Sequence, residues 1–372
     1  MDRLRVAAFA ILILYHVAMV FAPWNFHVKS THISPYATVP MLAVNAWRLT
    51  LLFVVSGFAS RALFRRQRSA GAFVRDRSWR LLVPLAFGVI VVVPPQAWVE
   101  LVTKHGYAGG FLSFWARDYF SMRTVTGVSL PAWNHLWFVG YLWVYTVGLA
   151  ALAVLVRSAG IGRDFDRVFG GAGVVLIPLA WLVGVHAWWF PMAGETHDLV
   201  TDALAHASYL PAFGFGFGLA GSPAAMRAIG RWWPVGMVLA VAGYAYIAAV
   251  EVRVLPARGP SFYAIYGTAH AAQQWGAVVA LIGIADRGWR DRPIRATLIE
   301  GVFPFYIAHQ TIIVVVMYAL LGAGLPGWAE AAILVAATLA GSAAFYLVGR
   351  RIGPLRPLIG LRRHPRPSAG VL

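Results

Sequence analysis

Apolar runs of about twenty residues follow one another along the whole chain, near 6–24, 38–60, 81–102, 134–156, 172–190, 199–220, 232–250, 267–285, 298–321 and 328–349. About twenty apolar residues in a helix cross a hydrocarbon core of roughly 30 Å. The runs therefore predict an all-α fold, a polytopic membrane helical bundle of about ten transmembrane helices. The fifth and sixth runs are broken by Pro178, Pro191 and the Gly-rich stretch from Phe213 to Gly218. Only 12% of residues are charged, against about 25% in a soluble domain. Spans and short connections use up the 372 residues, so no sizeable soluble domain is expected. The expected organisation is one membrane-embedded domain over 1–352 and a basic, Pro-rich, mobile cytoplasmic tail over 353–372, lying along the anionic inner leaflet.

The basic residues orient the bundle. Arg3 and Arg5 precede the first run, and seven arginines from Arg61 to Arg80 separate the second from the third. Arg157, Arg163 and Arg167, then Arg227 and Arg231, then Arg287, Arg290, Arg292 and Arg295 follow at every second connection, and six arginines from Arg350 to Arg366 close the chain. These make 24 of the 31 lysines and arginines, against Lys29, Lys104, Arg117, Arg123, Arg253 and Arg258 on the other side. That alternation predicts an even number of spans and both termini in the cytoplasm. The formal charge of +17 is thus read as membrane orientation and not as a nucleic-acid surface. The first run ends in aromatic residues, so it reads as a retained span and not a cleaved leader. With no cysteine, disulfides, thiolate metal sites and a cysteine nucleophile are excluded. No metal-ligand spacing, Walker loop, dinucleotide fingerprint or Ser-His-Asp pattern occurs, and no bound metal or permanent cofactor is expected.

Three costly side chains lie at mid-membrane depth on separate runs. His16 follows Arg5 by eleven residues, about three helical turns and roughly 16 Å, so the two share one face. Arg48 falls about ten residues into the second run, with Asn45 one turn above it. His309 is about twelve residues into the ninth run, close to the depth of His16, after Pro304 and Tyr306. An ionisable group at that depth costs about 2.5 kcal/mol or more, which marks a site when three converge. Either a neutral histidine satisfied inside the bundle or a functional imidazole fits His16 taken alone. Arg48 keeps its charge and calls for an anion or a polarised carbonyl; pairing with Glu100 is disfavoured because Glu100 sits near the outer end of its run. Ser56-Gly57 is first a small-residue packing site. Asn134 and His135 open the fourth run, where they either meet an incoming substrate or cap the helix. Asn45, Ser56, Glu100, Asn134, His135 and Tyr306 are the candidates to bind substrate. The aromatic residues of 103–133 read as a headgroup belt before a sugar platform.

Five motifs in order carry a resemblance: Arg5 with His16; Arg48 followed by Phe53-x-x-Ser56-Gly57-Phe58; Arg75-Asp76-Arg77-x-x-Arg80-Leu81-Leu82-x-Pro84; His135-Leu136-Trp137-Phe138; and Pro304-Phe305-Tyr306-Ile307-x-His309-Gln310. The chain resembles the acyltransferase-3 family of ten-helix membrane acyltransferases, over nearly its whole length. Its nearest likeness is the branch containing the glucans biosynthesis protein C type of periplasmic glucan succinyltransferase. The resemblance implies transfer of an acyl group from cytoplasmic acyl-CoA to a hydroxyl, typically of a glycan, reached from the far side of a bacterial cytoplasmic membrane. Larger members carry a fused extracytoplasmic hydrolase-like domain, and no step by such a domain is expected of these 372 residues.

The residues fit that chemistry. Arg3, Arg5, Arg75, Arg77 and Arg80 form a basic mouth suited to coenzyme A phosphates, although topology alone also accounts for such arginines. Either His16 or His309 is the general base, with the other orienting it, and Arg48 or His309 stabilises the developing oxyanion. A proton-coupled transporter using His16, His309 and Arg48 is the rival reading, against which stands the lack of an internal repeat and of a mid-span carboxylate. A non-catalytic scaffold would leave the mid-depth charges without a task.

Overall fold

The computed structural model describes residues 1–155, 160–259, 261–288 and 296–363. Three-quarters of it is helix. In chain order the helices are α1 (Asp2–Met19), α2 (Thr38–Asn45), α3 (Arg48–Arg65), α4 (Ala70–Phe87), α5 (Pro94–His105), α6 (Phe111–Ser113), α7 (Trp137–Leu155) and α8 (Ile161–Phe169). They continue with α9 (Gly173–Val183), α10 (Ala203–Leu219), α11 (Pro223–Glu251), α12 (Phe262–Gly288), α13 (Ala296–Leu320), α14 (Gly327–Arg351) and the short α15 (Leu355–Leu358). One small hairpin, β1 (Thr124–Val125) with β2 (Val128–Ser129), interrupts the connection before α7.

A helix stands at each of the ten expected places. Six helical stretches among the described residues are long and apolar enough to cross a membrane, or seven if the bent pair α8 and α9 counts as one. The others fall short for local reasons. Asp2, Arg3 and Arg5 load α1 with charge, α10 has 17 residues, and His270, Gln273 and Gln274 dilute α12. Arg157, Arg290, Arg292, Arg295 and Arg366, assigned above to the basic side, lie outside the described residues.

The chain divides into two compact units that interleave along the sequence. The first takes 1–11, 35–75 and 144–294, and the second takes 12–34, 76–143 and 295–372. In the first unit α3 and α10 approach until backbone meets backbone: a side chain at Gly57 would strike the Phe213 carbonyl, and one at Gly216 the Val54 carbonyl. Ser56-Gly57 is thus a packing site, as small residues are between membrane helices. Helices α11 and α12 pack as closely through Gly236, Gly243 and Gly276.

Prolines inside these helices strip carbonyls four residues earlier of their helical donors, and in a hydrocarbon no water replaces them. Side chains do so here. Pro178 frees the Val174 carbonyl, which accepts from the Trp275 indole at 2.9 Å. Pro211 frees Ala207, taken by the Trp181 indole at 2.8 Å, and Pro234 frees Gly230, taken by Arg287 at 2.6 Å. In the second unit Pro94 and Pro95 follow a π-helical stretch, Gly88–Val92. Its open carbonyls receive the Tyr119 hydroxyl at Val89, the Trp115 indole at Ile90 and the Thr311 hydroxyl at Val92, each within 2.8 Å.

The second unit's core joins α1, α5, α13 and α14 through Val17, Phe26, Val99, Ile313, Met317 and Leu334. Of the expected tail, residues 353–363 are described and pack on their own unit, while 364–372 lie outside the described residues. Arg356 is buried, with bonds to the carbonyls of Arg350 at 2.8 Å and Arg362 at 2.6 Å and an ion pair to Glu300 at 3.5 Å. Ile359 and Leu361 pack on Tyr346, so the tail's opening residues are held by their own apolar side chains.

Candidate active site

Four imidazoles gather in the second unit, from α1, the connection after it, the turn opening α7, and α13. His16 Nδ1 lies 2.9 Å from His309 Nε2, with ring centroids 5.0 Å apart. His309 Nδ1 is 2.7 Å from the Tyr306 carbonyl one turn earlier. That carbonyl only accepts, so Nδ1 carries the hydrogen of a neutral His309 and Nε2 holds its lone pair. His16 must then donate from Nδ1, which makes Nε2 its basic nitrogen. His309 is fully buried, and both residues lie on helices, where packing fixes their rotamers.

His135 sits in a 3-10 turn, Asn134–Leu136, and is buried, its ring 5.1 Å from that of His309. Its Nε2 faces the carbonyls of Tyr306 and Ile307, both at 3.1 Å, so it is the protonated nitrogen. The buried Nδ1 has no hydrogen-bond partner among the described residues. The Tyr306 hydroxyl returns a bond to the His135 carbonyl, which locks the turn onto α13.

Beside this cluster runs a directional hydrogen-bond chain. Lys104 Nζ donates to Asn25 at 2.8 Å and to Glu100 Oε1 at 3.0 Å. Glu100 Oε2 accepts from His27 Nδ1 at 2.6 Å, and His27 Nε2 accepts from the Gln310 amide at 2.9 Å. Gln96 Oε1 accepts from Gln310 at 3.1 Å and from Asn134 at 2.9 Å, while its amide donates to Thr311 at 2.6 Å. The carboxylate fixes the His27 tautomer, and each of these bonds runs from a donor to an acceptor. Lys29 closes the end of α1, donating to the carbonyls of Met19 at 2.5 Å, Ala22 and Trp24 at 3.1 Å. Burial first, and then Lys104, push its ammonium down to about 8.

His27, Gln96 and Gln310 were not singled out by sequence reasoning. His27 falls in a connection, and its partners are 73 and 283 residues away, so only Gln310, at the end of the Pro304-to-Gln310 motif, stood among the quoted residues. Glu100 pairs with His27 and Lys104. Of the other expected residues, Arg3, Arg5, Asn45, Arg48, Ser56 and Arg75 lie in the first unit, and Arg77 and Arg80 in the second. Arg48 opens α3 at a break after α2, and its Nη1 donates to the Asn45 carbonyl at 2.9 Å and to the Asn45 side chain. Arg3 and Arg5 are on α1, Arg5 lying 3.7 Å from Asp2, and Arg75, Arg77 and Arg80 are on α4, Arg80 lying 3.0 Å from Asp76. No group of three or more metal-ligating side chains among the described residues is arranged to hold an ion.

Residues 1–347 match the acyltransferase-3 family model, described as an acyltransferase domain. The chain belongs to that family. It is an integral membrane acyltransferase of the kind that moves groups other than aminoacyl groups. That membership favours the enzymatic reading of the chain over the transport one. No curated protein and no solved structure matches the chain.

Proposed function

We propose that the protein is a membrane O-acyltransferase that passes an acyl group from acyl-CoA to a hydroxyl of a glycan, with His16 as general base. The observation that carries this reading is the bond from His16 to His309, itself anchored on the Tyr306 carbonyl. It leaves His16 Nε2 as the nitrogen that takes a proton, while neutral His309 has already committed its one N–H. His309 is then a positioning residue for His16.

The step balances without a further reactant. The acceptor oxygen attacks the thioester carbonyl as its proton passes to His16 Nε2, and the oxyanion collapses with cleavage of the carbon–sulfur bond. The coenzyme A thiolate then recovers the proton from His16. Arg77 and Arg80, in the same unit as His16, bind the donor's phosphates, which fits the arginine fork. A second hydroxyl of the glycan donates to His135 Nδ1, an acceptor that otherwise stays buried without a partner. The glutamine and asparagine amides of Gln96, Gln310 and Asn134 hold the helices that carry these groups. The resemblance to periplasmic glucan succinyltransferases supports a glycan acceptor and a bacterial cytoplasmic membrane.

The test is to supply purified protein with acyl-CoA and follow free thiol with and without an oligosaccharide. Thiol release that requires the oligosaccharide, with no acyl group left on the protein, is expected. An acylated histidine in the absence of acceptor would replace direct transfer by a covalent route.

A further inference from the structure

At one end of α11 and α12 a cleft of about 600 Å³ is lined by Arg227, Gly230, Arg231, Asp286 and Arg287 among others. It lies in the first unit, and none of its lining residues is among those assigned above to donor or acceptor. Helix α11 has 29 residues and is about 43 Å long, whereas the hydrocarbon core is about 30 Å thick. About 13 Å of the helix therefore lies outside the core. The apolar run of α11 begins only at 232, so Arg227 and Arg231, its fifth and ninth residues and one turn apart, precede that run and stand at headgroup level.

The third guanidinium is held in advance. Arg287, in the last turn of α12, donates to the Gly230 carbonyl at 2.6 Å and lies 5.6 Å from the centre of the Trp233 ring. Pro234 leaves that carbonyl without a helical donor, so the bond exists because the sequence breaks the ladder there. Topology needs only positive charge on this side of the bundle. It does not need an arginine pinned across two helices at the wall of a cleft. Three guanidinia against the single carboxylate of Asp286 give a net positive basin.

We propose that this cleft binds the phosphate of an anionic glycerophospholipid of the phosphatidylglycerol class. Arginine meets phosphate oxygens through its planar fork, and basic clefts between membrane helices on the positive side take anionic headgroups. Arg227 and Arg231 contact the phosphate, and Arg287 holds the wall.

The full-length protein in detergent is titrated with phosphatidylglycerol or phosphatidylcholine and bound lipid is counted by native mass spectrometry. Phosphatidylglycerol is expected to bind in preference, and Arg227→Gln with Arg231→Gln to weaken it by about thirtyfold, from roughly a fivefold loss per arginine. The lipid-free melting temperature should not change, since both side chains are exposed. Equal binding of the two lipids, or undiminished phosphatidylglycerol binding by the variant, overturns the proposal. Coenzyme A binding measured by calorimetry is expected to be the same in both proteins. Its loss in the variant would assign the cleft to a soluble phosphate ligand and overturn the lipid assignment. Should the glutamines impair folding, Arg231→Lys keeps the charge and removes the fork. A severalfold loss of lipid is then expected, and no loss overturns the proposal.

Discussion

His309 and His16 act as one device in this account, and replacing either alone reports on the other. His309→Leu removes the acceptor of the His16 Nδ1 hydrogen and is expected to slow transfer. His16→Ala in that background should cost little more than His16→Ala alone, because residues acting as a unit are not additive. Initial rates of thiol release measure both, and fully additive losses would separate the two imidazoles. His27 makes a different prediction. His27→Ala leaves Glu100, half-buried, with Lys104 as its charge partner and strips the Gln310 amide of an acceptor. A destabilisation of about 1–3 kcal/mol is expected in thermal unfolding. Part of this was legible in the residues themselves: His16 and His309 share a depth that their spacing from the run ends discloses. The His135 carbonyl contacts and the His27 chain were not, since they depend on which helices become neighbours.

At the scale of the element, the prolines explain much of the architecture. A proline in a membrane helix leaves a carbonyl that must find a donor or remain unsatisfied in hydrocarbon. Trp275, Trp181 and Arg287 supply donors from other helices, so each break also fixes a helix pair. Trp275→Phe should therefore destabilise the protein by about 1–3 kcal/mol. In a Pro178→Ala background, where the substituted alanine restores a helical N–H to the Val174 carbonyl, the same change should cost measurably less. A double-mutant cycle on melting temperature tests this, and a coupling of zero would refute it. The positions of the helices were legible from the apolar runs. The π-helical stretches and the donors that serve them were not, because they pair residues far apart in sequence.

For the whole molecule, the distribution of arginine predicts an orientation that the helices alone do not carry. The absence of native cysteine allows single introduced thiols to read it. Arg68→Cys and Arg351→Cys should label from one face of the membrane, and Met122→Cys and Ala323→Cys, both exposed, from the other. Labelling of Arg68→Cys and Met122→Cys from the same face would break the alternation. The interleaving of two units along the chain could not be read from hydropathy, which treats every span as equal. The burial of Arg356, Ile359 and Leu361 was equally illegible, because it depends on which helix ends they meet.

The most direct measurement is the acyl-transfer rate of His16→Ala, reconstituted in vesicles and verified as folded by its melting temperature. With His16 as the base, the rate should fall by about 10²–10⁴-fold while acyl-CoA still binds. A folded His16→Ala protein that transfers at the wild-type rate would contradict the account.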